Sequence, residues 1–158
     1  MSKTTGKHGF QPADIEPRIG SGYPPPFNAV ALGRRKYALG NHAGLRQFGV
    51  NHTVLPPGDQ SALRHWHTHE DEFVYILEGE VILITDDGEE ILRAGMCSGF
   101  PGGIDNGHHL INRSEEDAVF LEIGSRVAED EGHYPDDDLH ARKTENGHVF
   151  TKKNGDPC

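Results

Sequence analysis

The chain has 158 residues, 34% of them hydrophobic and 25% charged, with 20 Gly and 10 Pro. That length suits one domain of ordinary size, and so many breakers suit short elements joined by tight turns rather than a helical bundle. The formal charge of -10, from 25 acidic against 15 basic residues, withholds the positive surface that nucleic-acid backbones require, so no nucleic-acid partner is expected. No apolar run approaches the roughly 20 residues that span a bilayer, and Met1 to Phe10 lacks the apolar stretch of a secretory signal. The expectation is a cytoplasmic protein with no membrane partner. Cys97, inside an apolar run that reads as a buried strand, and Cys158 form no CxxC pair, which argues against a disulfide framework.

Residues 1–44 contain Pro12, Pro17, Pro24-Pro25-Pro26 and scattered glycines, a composition that favours an extended arm and opposes helix. From Leu45 the texture changes to apolar stretches of strand length: Leu45 to Leu55, Phe73 to Leu77, Val81 to Thr85, Glu90 to Leu92, Met96 to Phe100, His108 to Asn112 and Ala118 to Ile123. Turn signals separate them, among them Pro56-Pro57-Gly58-Asp59, Glu78-Gly79 and Pro101-Gly102-Gly103. Asp87-Gly88 marks a hairpin, because Gly supplies the positive φ of a tight turn. This pattern predicts an all-β sandwich or barrel over 45–124. Beyond Gly124 the chain turns polar, with Glu129-Asp130-Glu131 and Asp136-Asp137-Asp138, and reads as an acidic, irregular C-terminal extension over 125–158 that runs along the surface.

The chemistry concentrates in Arg64-His65-Trp66-His67-Thr68-His69-Glu70-Asp71-Glu72. On an extended chain residues two apart share a face, so His65 and His67 can converge on one ion, and Glu72 can return a carboxylate to it. Imidazole with carboxylate suits Zn, Mn, Fe, Ni or Cu and leaves positions open for water or substrate. A lone histidine in such a turn would be read as solvated. Three alternating ones shift the balance toward a metal. A zinc-protease helix is excluded because no His follows His69-Glu70 at helical spacing. A serine hydrolase is excluded because GxSxG is absent.

The segment His65-x-His67-x4-Glu72-x6-Gly79 resembles the first motif of the cupin superfamily. Gly95-x5-Pro101-x-Gly103-x4-His108-x3-Asn112 resembles the second, with two extra residues before the histidine. Glu16 to Pro24 and Tyr134 to Leu139 extend the likeness to a group of bacterial cupins, without adding a substrate. The resemblance implies a double-stranded β-helix, or jelly roll, holding one divalent ion (Zn, Mn, Fe or Ni) on His65, His67, Glu72 and His108. His109 competes with His108 and His69 with the first-motif pair; the count to Asn112 and the distance to Glu72 favour His108 and the unshifted pair. Gly79, Gly95, Pro101 and Gly103 read as turn residues. Trp66 and Phe73 alternate away from the ion and are expected in packing or a subunit contact, whereas Val74 and Ile76 share the Glu72 face and should line the cavity. Glu122 and His69 are candidate acid–base groups, with solvated roles the plainer reading for each.

These features point to a metal-dependent enzyme acting on a small polar metabolite, with isomerase, lyase or dioxygenase chemistry all compatible. The alternative is a non-catalytic module that binds a small ligand, since fold alone does not decide activity. By family analogy the chain is expected to form a homodimer, the proline-rich arm packing across the interface at reduced entropic cost.

Overall fold

The computed structural model of the protein describes residues 8–158; the part of the expected arm before His8 lies outside them. In chain order the strands are β1 (Arg18–Ile19), β2 (Arg35–Tyr37), β3 (Phe48–Leu55), β4 (Trp66–His67), β5 (Glu72–Glu78), β6 (Glu80–Thr85), β7 (Gly88–Arg93), β8 (Cys97–Phe100), β9 (His109–Ile111), β10 (Ala118–Ser125), β11 (Glu131–His133), β12 (His140–Thr144) and β13 (Gly147–Thr151). One helical turn, α1 (Leu39–His42), precedes β3. All seven apolar runs read from the sequence are strands here. The fold is an all-β jelly-roll barrel.

A six-stranded sheet, in the order β1-β2-β3-β10-β5-β8, faces a three-stranded sheet, β7-β6-β9. Both are antiparallel. Period-two alternation puts Val74 and Ile76 of β5 inside with Leu55, Val81, Leu83, Leu92, Leu110, Ala118 and Phe120. At Gly79, φ is 72° and a Cβ would come within 2.8 Å of the Asp117 carbonyl oxygen, so the tight β5–β6 connection requires glycine. Asn112 is fully buried and donates through Nδ2 to the carbonyls of Leu55 (2.8 Å) and Glu116 (2.7 Å). This motif residue therefore fastens the β9–β10 connection.

Three expectations need correction. The C-terminal segment is not an irregular surface tail: β13, β12 and β11 form a four-stranded antiparallel sheet with β4. It carries its own core of Leu63, Tyr134, Leu139 and Ala141, joined by Tyr23, Phe27, Val30 and Phe150. The polar stretch hides this because it supplies few apolar residues and borrows the rest from distant segments. The N-terminal segment is likewise more than an extended arm: β2 pairs with β3, and the buried Arg34 donates to the carbonyls of Gly20 (2.7 Å) and Ser61. Finally, Cys97 is exposed. In β8 the inward positions belong to Ser98 and Phe100, the reverse of the phase read from the sequence.

Candidate metal centre

A strand of two residues cannot hold itself in place, and β4 is held from both sides. On one side His65 and His108 form a bridge, exchanging backbone hydrogen bonds of 3.2 and 2.9 Å, which places the two imidazoles opposite each other on one face. On the other side His67 pairs with Gly132 and Trp66 with His133 of β11. The loop after β8 completes the support. Gly103 donates its N–H to the His67 carbonyl at 2.8 Å, and Gly102 donates to Asp71 Oδ1 at 2.9 Å. A Cβ on Gly102 would fall 2.3 Å from the His69 carbonyl oxygen, so only glycine permits this approach.

Within this frame the Nε2 atoms of His65, His67 and His108 lie 3.4, 3.5 and 2.7 Å from Glu72 Oε2. Donor atoms of His65, His67 and Glu72 all lie within 4.8 Å of one another, and His108 reaches the group through Glu72. The buried Glu72 Oε2 makes no well-formed hydrogen bond. An orphaned carboxylate oxygen among three imidazole nitrogens fits a borderline divalent cation such as Zn, Mn, Fe or Ni.

The outer ring nitrogens orient this set. His65 Nδ1 donates to the Leu63 carbonyl at 2.7 Å, and since a carbonyl only accepts, the neutral ring keeps its lone pair on Nε2. His67 Nδ1 donates to Asp130 Oδ2 at 2.6 Å. Asp130 is 2% exposed and also accepts the N–H groups of His69 (2.9 Å) and Glu70 (3.0 Å). This is the carboxylate–imidazole arrangement that fixes a ligating ring and raises its basicity. His108 is positioned by packing, its ring lying parallel to Phe100 at 3.7 Å.

Electrostatics follow the geometry. Burial opposes the charged form of His67, but the carboxylates of Asp130 and Glu72 prevail and raise its pKa to about 10. Burial likewise works against ionised Asp130, yet the hydrogen bonds from His67, Glu70 and His69 bring it down to about 2. Glu72 is held well below the usual carboxylate range by the surrounding imidazoles, His65 foremost, against the effect of burial. His108 is lowered, because burial outweighs the nearby Glu72 carboxylate.

His67, Glu72 and His108 open into a cavity of about 90 Å³ walled by Trp66, Phe100 and Ile104 with Glu70, Thr85 and Asn106. The two-residue insertion before His108 supplies part of that wall. Asn106 anchors it to the β6–β7 turn, accepting the Asp86 N–H at 2.8 Å and donating to Asp87 Oδ2 at 3.1 Å. Val74 and Ile76, expected to line the cavity, are instead packed in the barrel core beneath it.

His65, His67, Glu72 and His108 are thus brought together. The competitors point elsewhere: His109 Nδ1 is 2.9 Å from the Ala62 carbonyl, and His69 Nδ1 is 2.8 Å from Thr68 Oγ1 on the exposed side. Glu122 pairs with Lys36 at 2.8 Å. Phe73 is exposed on the outer sheet face, while Trp66, expected to turn away from the ion, stacks on His133 at 4.4 Å and also lines the cavity. Sequence reasoning missed Asp130, Phe100 and Glu70. Asp130 carried no signal, since in Glu129-Asp130-Glu131 it is indistinguishable from a solvated acid.

Residues 51–124 match the Cupin domain family model. A sugar phosphate isomerase of the cupin superfamily from Silicibacter pomeroyi is 42% identical, with a TM-score of 0.91, over 95% of this chain and 96% of that one. A putative sugar phosphate isomerase from Acidithiobacillus ferrooxidans is 28% identical, with a TM-score of 0.72, over 77% of this chain and 78% of that one. A predicted oxalate decarboxylase from Thermotoga maritima shares the fold, at 22% identity and a TM-score of 0.61, over 74% of this chain and 97% of that one. No curated protein matches this sequence. Among the described residues no helix is long and apolar enough to cross a membrane.

Proposed function

Since the chain belongs to the cupin superfamily, we propose that it is a metal-dependent isomerase of a small sugar phosphate, with the ion held by His65, His67, Glu72 and His108. The observation that carries this reading is the convergence of three imidazole Nε2 atoms on the orphaned Glu72 Oε2. The Silicibacter and Acidithiobacillus proteins, named as sugar phosphate isomerases, support the substrate class and favour isomerisation over lyase or oxygen chemistry.

When bound, a divalent ion supplies Lewis acidity toward a carbonyl or hydroxyl oxygen. Isomerisation also needs a base that moves a proton between neighbouring carbons. Glu70 is the group for that role. It lines the cavity, its Oε1 is tied to the Val127 N–H at 2.9 Å and to Lys143 Nζ, and its Oε2 makes no hydrogen bond among the described residues. Trp66, Phe100 and Ile104 exclude water from one side of the substrate. No Lys or Arg lines the cavity, and Lys143, which pairs with the wall residue Glu70, is the group assigned here to a phosphate.

Two accompanying assignments complete the reading. Phe73, Tyr75 and Leu77 of β5 and the nearby Met96 are each about two-fifths exposed on one side of the barrel, and this face joins a second copy of the chain in an isologous homodimer. The working compartment is the cytoplasm, with which the free thiols of Cys97 and Cys158 accord.

The test is interconversion of small aldose and ketose phosphates, followed by NMR, with protein reloaded in turn with Zn, Mn, Fe and Ni. The wild type is expected to turn over. His65→Ala/His67→Ala should lose the cleft's metal equivalent and turnover, and Glu70→Gln should keep that metal and lose turnover. Ligand binding without turnover under every metal would overturn the enzyme reading in favour of the non-catalytic binding module.

A further inference from the structure

A second group of metal-ligating side chains lies outside the cleft, on the opposite face of the ladder that carries His67. In the β11–β12 pairing His133 is directly opposite His140, and Glu131 precedes His133 by two residues, so all three side chains project from one face. Their donor atoms lie within 4.8 Å of one another. Glu131 Oε2 is 3.0 Å from His140 Nε2 and 3.8 Å from His133 Nε2, and the two rings are 5.0 Å apart. We infer that Glu131, His133 and His140 form a second divalent-cation site, built for an ion of the Zn, Ni or Cu class and separate from the cleft.

Four observations support this assignment. Two imidazoles and a carboxylate select borderline transition ions over Mg or Ca, which prefer an all-oxygen shell. The side chains are a quarter to two-fifths exposed, at 39% for Glu131, 37% for His133 and 27% for His140, which leaves room for water to complete the coordination. The scaffold is preorganised, because the β11–β12 turn is anchored by buried Tyr134 and Leu139 and by Arg64, which grips Asp136 through two bonds of 2.8 and 2.9 Å. The His133 ring is held by the chain's one tryptophan, Trp66, stacked at 4.4 Å and 16°.

An ion here would clip β11 to β12 and so brace the sheet that supports β4, independently of whether the cleft is catalytic. The test uses tag-free full chain, stripped by chelator and dialysed against Zn alone, with bound zinc counted per chain. His65→Ala/His67→Ala is expected to retain one equivalent, and its Tm should rise with zinc because the ion binds the folded state. Adding His140→Ala should remove that equivalent and the Tm rise. Glu131→Gln in the same background serves as a second, near-isosteric variant should the alanine change disturb folding, and should weaken zinc binding at least about tenfold. Copper should quench Trp66 fluorescence in the cleft-deleted protein and lose that effect with His140→Ala. Zinc retained unchanged after both the His140 and Glu131 substitutions, or absent from the cleft-deleted protein, would overturn the assignment. Failure of the cleft to bind metal would leave this equivalent in the wild type and so be distinguishable.

Discussion

The barrel and the C-terminal sheet both bury apolar side chains, but they do so on different terms. The barrel core draws on strands spread over Leu55 to Phe120, and its members, Ala118 apart, are Val, Ile, Leu and Phe, the apolar residues of the strand-like runs. The C-terminal core is assembled from Tyr23, Leu63, Tyr134, Leu139 and Ala141, single residues drawn from separate parts of the chain. The two cores share no residue. Between them sits β4, bridged to His108 on the barrel side and paired to β11 on the other. The candidate metal centre therefore depends on both regions, and the second region acts on it through Asp130.

This contrast can be broken from either side. Phe120→Ala, at a fully buried position in the barrel core, should cost about 3–5 kcal/mol and lower the denaturation midpoint of the whole chain. Leu139→Ala, equally buried but in the C-terminal core, should cost about 2–4 kcal/mol. The Leu139 change should also expose the β4–β11 amides to hydrogen exchange while the β5–β10 amides stay protected. Equal exposure of both sets would mean that the two cores unfold as one.

Asp130→Asn keeps an acceptor for the His69 and Glu70 amides but removes the charge facing His67, and should weaken metal binding about 10–100-fold with the barrel intact. The same pair sets a pH dependence of the metal-free protein. Asp130, depressed to about 2, contributes stability above its unfolded value near 3.8 that is lost as pH falls toward 2. His67, raised to about 10, contributes stability below its unfolded value near 6.5 that is lost as pH rises toward 10. The pair is at full strength between those unfolded values, and a Tm-against-pH curve should flatten on both flanks in Asp130→Asn. Metal affinity runs the other way on the alkaline side, because the ion must displace the His67 proton and so binds more tightly as pH rises. At the small end, Arg113→Ala removes an exposed ion pair with Glu89 and should leave Tm unchanged.

The strands and turns of the barrel were legible because each is set by local physics: alternation at period two, turn residues between, and glycine where the backbone must pass through positive φ, as at Gly79. The shared face of His65 and His67 was legible for the same reason, since residues two apart on an extended chain project together, whereas Glu72, on the following strand, was placed by the family motif. His108 came from a resemblance to a family pattern, and the bridge to His65 shows the backbone basis of its position. The phase of β8 was misread because Met96 to Phe100 offers no clean alternation, and the neighbouring β5 decides which way Cys97 points.

What the sequence determined by itself was the strands of the barrel, the turn chemistry and the shared face of His65 and His67, all set by interactions between near neighbours. Tertiary structure alone decided the C-terminal sheet, the burial of Asp130 against His67, the entry of Glu70 into the cavity wall and the pairing of His133 with His140. These depend on segments far apart in the chain meeting in space. An acidic residue in a polar run has the same local signature whether it ends in water or beneath an imidazole.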